Sequence, residues 1–65
     1  MIKEVFGKMP DNVKSVIEKL RKEYKNETLK KGEVRHEADG YTRGLRDANF
    51  ITETERQALF IYIVA

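Results

Sequence analysis

The sequence predicts an all-α fold, a helical hairpin closed by a third, C-terminal helix into a small three-helix bundle. Three observations carry that expectation. Apolar residues recur three and four apart at Val13, Ile17, Leu20 and Tyr24, and again at Val34, Ala38, Tyr41, Leu45 and Ala48, the spacing that lines one face of a helix. Between the two runs the stripe lapses: Glu27 and Lys31 occupy its register, while Asn26 and Gly32 are residue types that commonly end helices. Finally, Thr52 and Glu55 stand in capping-box spacing just ahead of an apolar run.

A chain of 65 residues has room for one domain, residues 1–65, and buries a smaller share of its surface than a larger protein does. Without cysteine it has no disulfides and lacks the ligands of most zinc sites. Oligomerisation then remains as the usual support of a small fold, so a homo-oligomer such as a dimer, or a partner protein, is expected. Cysteine-free composition suits the reducing cytoplasm, the expected location. Near Met1 the apolar positions are interrupted by Lys3, Glu4, Gly7 and Lys8, unlike a secretory signal, and no apolar stretch is long enough to span a bilayer. A membrane is therefore not among the expected partners.

Residues 1–9 read as a short N-terminal turn with Ile2, Val5, Phe6 and Met9 on one side, stopped by the restriction that Pro10 places on the residue before it. Pro10 then suits the start of a helix over 11–26, with Asp11 beside its positive end. Val13, Val16, Ile17, Leu20 and Tyr24 form its apolar face, and Lys14, Glu18 and Lys22, with Lys19 and Glu23, alternate in sign four apart on the outside. The next helix, 33–48, carries Gly40 and Gly44 one turn apart on a flank, a spacing that predicts close approach of another backbone. The rival architecture is one long helix through 11–48 forming a dimeric coiled coil, because Glu27 and Lys31 keep the heptad register.

In DANFITETERQALF, Asn49 suits a helix end, Phe50 and Ile51 fall in the connection, and the capping box starts a helix over 53–64. Its last turns are apolar on nearly every side. The β-branched and aromatic content of residues 60–64 also fits an added strand, and either form needs a cover. Insertion between other helices supplies one, and a second chain supplies the other. The expected interface is therefore Leu59, Phe60, Ile61, Tyr62, Ile63 and Val64.

No catalytic or cofactor site emerges, and the chain reads as a non-enzyme. His36 is the sole histidine; its HEAD string lacks the second histidine of the HExxH zinc arrangement, and helical phase turns it to solvent with Arg43 and Asp47. The carboxylate pairs Glu53/Glu55 and Asp39/Asp47 lie on different sides of a helix or two turns apart. Ser15 lacks a triad context, and there is no glycine-rich phosphate loop.

Net charge is +2, but residues 1–32 carry nine Lys or Arg against five acids while residues 33–65 carry four against six. That asymmetry favours an anionic contact for the first half. The alternative function is therefore a small nucleic-acid-binding regulator, using a helix-turn-helix-like pair around the DANFIT connection and the cations Arg21, Lys22, Lys25, Lys30, Lys31, Arg43, Arg46 and Arg56.

Over residues 40–63, GYTRGLRDANFITETERQALFIYI resembles small uncharacterised proteins of phages and integrative elements of Gram-positive bacteria. The shared pattern is an aromatic residue, a GLRDA-like segment, a short apolar connection, an ITE-type helix start and an apolar end. The resemblance implies an accessory protein of a mobile element that modulates a host or element-encoded protein, and it assigns no functional residues. The leading expectation is accordingly a non-enzymatic protein-interaction module that binds itself or a partner protein through an apolar surface.

Overall fold

The computed structural model describes residues 2–26 and 30–65. Helix α1 spans Ile2–Gly7, α2 Asp11–Asn26, α3 Lys31–Asp47 and α4 Glu53–Val64, with no strand among the described residues. The all-helical expectation holds, with the short N-terminal segment forming a helical element of its own. Residues 60–64 continue α4 as helix, not as a strand.

Helix α4 is the centre of the bundle. It packs against α3, α2 and α1, while α2 and α3 also pack on each other. A helix that is apolar around most of its circumference satisfies itself only by burial on several sides, and three neighbours provide this. Leu59 and Ile63 are 0% exposed. They join Val5 and Met9 from the N-terminal segment, Val13, Ile17 and Leu20 from α2, Val34, Ala38 and Leu45 from α3, and Ile51 from the last connection in one core. Phe6 completes the α1 side with its ring centroid 5.5 Å from that of Tyr62, tilted by 37°.

The rod-like alternative fails on dimensions. A continuous helix over 11–48 is roughly 57 Å long at about 1.5 Å per residue, whereas the longest extent of the whole molecule is 32 Å. Helix α3 folds back on α2 within one chain. Of the turn expected at 26–32, residues 27–29, including Glu27, lie outside the described residues. Gly32 does not take the left-handed conformation expected of a helix end; it sits in the first turn of α3.

Two further expectations are corrected. A Cβ built on Gly40 or Gly44 meets nothing within 4 Å, so their flank faces open space and no backbone approaches it. Ala48, placed on the inward stripe, is exposed because α3 has already ended at Asp47. Thr42 takes an unanticipated core position, its hydroxyl donating to the Ala38 carbonyl at 2.8 Å; this internal bond lets a polar side chain be buried without loss.

Both ends of the α3–α4 connection follow local chemistry. Asn49 adopts φ 65°, the left-handed residue just past the helix, and the Asn49 and Phe50 N–H groups donate to the Arg46 and Leu45 carbonyls at 2.9 and 3.0 Å, the Schellman pattern. The Thr52 hydroxyl accepts from the Glu55 N–H at 3.2 Å, and the Thr52 N–H donates to Glu55 Oε1 at 2.9 Å, completing the capping box read from the sequence.

These placements fix two stability expectations. Leu59→Ala should cost about 2–5 kcal/mol, read by urea unfolding. Gly44→Ala should instead stabilise the fold by up to about 1 kcal/mol, because the added methyl meets no atom and the helix gains propensity; a destabilised Gly44→Ala would show that this flank is occupied.

Candidate functional site

The expected interface divides into buried and exposed parts. Leu59 and Ile63 point into the core, Phe60, Tyr62 and Val64 are half-buried, and Ile61 is 62% exposed. The assumption that one protomer cannot enclose this segment is thus corrected: α1, α2 and α3 enclose most of it. What remains open is an outer strip of α4 around Ile61, with the exposed edges of Phe60 and Val64 beside it. Among the described residues, Phe50, in the connection after α3, is the other large apolar side chain left in solvent, at 63%.

The eight cations of the nucleic-acid reading also separate into two sets. Arg56 is only 9% exposed and is held bidentately by Glu53, with Nε and an Nη donating at 3.0 Å each, while its other Nη reaches Asp39 at 3.3 Å. Arg43 pairs with the second oxygen of Asp39 at 3.0 Å. Arg46 donates to Glu53 and lies 3.1 Å from Asp47. Arg46 and Arg56 join α3 to α4, whereas Arg43 is exposed and paired with Asp39 one turn back on α3 itself. Helix α4, the recognition helix of the helix-turn-helix-like expectation, packs on three neighbours and exposes the strip that ends at Ile61.

Glu53 is the node of this cluster. Arg56, Gln57 and Arg46 all donate to its carboxylate, Gln57 at 2.9 Å, and these hydrogen bonds, Arg56 first, hold its pKa far below the ordinary carboxylate range. Glu55 is lowered too, by Lys8 foremost and then by the Thr52 N–H, so the capping box is also tied to the segment following α1. Sequence reading had rejected Glu53 and Asp39 as members of acid–base pairs; their observed role is to hold Arg56 between two helices. The pairs Arg43–Asp39 and Arg56–Glu53 lie within one helical turn, but the Arg56–Asp39 contact spans 17 positions, beyond the reach of helical periodicity.

The second set, Arg21, Lys22, Lys25, Lys30 and Lys31, occupies the end of the bundle where α2 finishes, α3 starts and α4 finishes. Arg21 lies 4.0 Å from the centroid of the Tyr62 ring and donates to the Tyr62 carbonyl at 3.3 Å. Lys31 stands 5.1 Å from the Tyr24 centroid. Arg35, which the sequence did not single out, stands 5.1 Å from the Phe60 centroid. The Tyr62 hydroxyl donates to Glu18 at 2.6 Å, and this bond foremost raises its pKa.

His36 is exposed as expected and borders a shallow groove with Gly32, Arg35, Asp39 and Phe60. Its carboxylate neighbour Asp39 is already shared by Arg43 and Arg56. Among the described residues no group of three or more metal-ligating side chains converges, and no helix is long and apolar enough to cross a membrane. No family model, curated protein or solved structure matches the chain.

Acid titration tests the Glu53 node. A carboxylate whose folded pKa is depressed stabilises the fold fully above its unfolded value, about 4.3 for Glu, and loses that contribution as pH falls towards the folded value. Tm should therefore hold from pH 7 to 5 and decline below about pH 4. In Glu53→Gln it should start lower at pH 7 and decline less steeply. Parallel curves for the two proteins would remove Glu53 from the account.

Proposed function

We propose that this protein is a non-enzymatic interaction module whose contact surface is the outer strip of α4, centred on Ile61 and bordered by Phe60 and Val64. The supporting observation is that Ile61 stays 62% exposed in a helix whose neighbouring Leu59 and Ile63 are wholly buried. Helix α4 has three neighbours in the chain, and the sector they leave uncovered runs from the polar Thr54 and Gln57 near its start to the β-branched Ile61 near its end. A buried aromatic or aliphatic anchor is the usual centre of a protein contact.

The surface takes a second copy of the chain or a foreign protein, and the resemblance of residues 40–63 to mobile-element proteins supports an accessory role of that kind. The arrangement offers little to catalysis. The polar groups that converge, Asp39, Glu53, Arg46 and Arg56, are saturated by one another, and the groove beside His36 is open and shallow.

Light scattering across a concentration series tests the self-association form: the wild type should become heavier than a monomer, and Ile61→Glu should remain monomeric with an unchanged helical spectrum. A monomeric wild type leaves the foreign-partner form, tested by capture from host lysate with wild type and Ile61→Glu in parallel. If the wild type is monomeric and both proteins capture the same species, this reading is wrong. Ile61→Gln repeats the comparison without added charge should Ile61→Glu unfold.

A further inference from the structure

We infer that the end of the bundle formed by the last turns of α2, the first turns of α3 and the last turn of α4 is a binding site for the phosphodiester backbone of nucleic acid, separate from the Ile61 surface. Three features of that end converge.

The first is the supply of uncommitted charge. Lys22, Lys25, Lys30, Lys31 and Arg35 are all exposed, and among the described residues none of them pairs with a carboxylate, in contrast to Arg43, Arg46 and Arg56 at the other end of α3 and the start of α4. Of the acids on α2 and α3 near this end, Glu23 is paired with Lys19 at 3.9 Å and Glu18 is occupied by the Tyr62 hydroxyl, while Glu33 in the first turn of α3 and Glu37 beyond it are exposed and offset part of the positive charge.

The second is anchoring. Every cation–aromatic contact among the described residues lies here: Arg21 on Tyr62, Lys31 on Tyr24 and Arg35 on Phe60. Each ring sits against the charged end of a long, otherwise mobile side chain, and Arg21 in addition donates to the Tyr62 carbonyl. Ordering such side chains in advance removes part of the entropic penalty of binding, and the contacts themselves are worth about 0.5–1 kcal/mol at exposed sites. The third is the distribution of charge: Asp39, Asp47, Glu53 and Glu55 are matched by Arg43, Arg46, Arg56 and Lys8, so the excess of positive charge lies where α2 finishes and α3 starts, and the chain meets a polyanion with that end.

The chemistry favours nucleic acid over a lipid surface. Interfacial membrane binding needs a broad apolar face beside the cations, whereas in α4 Ile61 alone among the large apolar side chains is exposed and its neighbours Phe60 and Val64 are half-buried. Contact is with phosphates and is independent of base sequence, because no helix face with uncommitted base-reading side chains is presented to a groove.

Fluorescence anisotropy with a labelled 20-mer DNA duplex of arbitrary sequence, in a salt series, tests this. Five phosphate contacts predict a slope of log K against log salt near −4.5. Lys25→Glu should flatten the slope by about one and weaken binding to unrelated duplexes equally, and Lys25→Glu/Lys30→Glu should abolish it. Lys14→Glu, at the opposite end of α2, changes net charge by the same amount as Lys25→Glu and should leave binding within about twofold, a difference of only a few tenths of a kcal/mol. Ile61→Glu serves to distinguish this site from the protein-contact surface, and a salt slope unchanged in that variant is expected. No binding at low salt, equal weakening by Lys14→Glu and Lys25→Glu, or retention on phosphatidylserine vesicles without binding to DNA each overturns the inference.

Discussion

Everything in this fold depends on the burial of α4 on three sides. A 12-residue helix with an apolar last turn in nearly every direction cannot rest on a hairpin surface as a simple lid, because one interface covers only one stripe. The chain resolves this by placing α4 between α3 and α2 and by adding the short α1 as a third wall. The N-terminal segment is thereby structural, contributing Val5 and Met9 to the core and the Phe6 ring to Tyr62. Below about 70–80 residues a single core stabilises a fold only marginally, and using one helix as a shared centre raises the burial available to so short a chain.

The polar reinforcement of that arrangement is concentrated at one end. Arg56, with its guanidinium almost out of solvent, lies between Glu53 on its own helix and Asp39 on α3. A planar guanidinium held bidentately fixes direction as well as distance, so the cluster sets how α3 and α4 meet. Breaking one member leaves a poorly solvated charge without its partner, which is more costly than losing an exposed surface pair. Thr52, Glu55 and Lys8 add a second fastening that joins the α4 start to the segment after α1.

Charge is consequently spent unevenly along the molecule. Arginines around the α3–α4 connection are consumed by the architecture, whereas the lysines around the α2–α3 end are held near aromatic rings or left in solvent. A formal net charge of +2 conceals this division. Two surfaces remain with uncommitted chemistry: the apolar strip at Ile61 and the cationic end near it. Phe60 lies where they meet, next to Ile61 in the chain and under the Arg35 guanidinium.

By itself the sequence determined the helices. Period-3.6 stripes fixed α2 and most of α3, the Thr52/Glu55 box fixed the start of α4 to the residue, and Asn49 marked the end of α3, because each signal is written within a turn or two of chain. Tertiary structure alone decided which surface of α4 stays open, that Gly40 and Gly44 face solvent, and which arginines are free. Those outcomes depend on contacts between residues such as Asp39 and Arg56 or Glu18 and Tyr62, which periodicity cannot pair. It records that a face is apolar, but the number of neighbours that come to cover it is settled only when the helices pack.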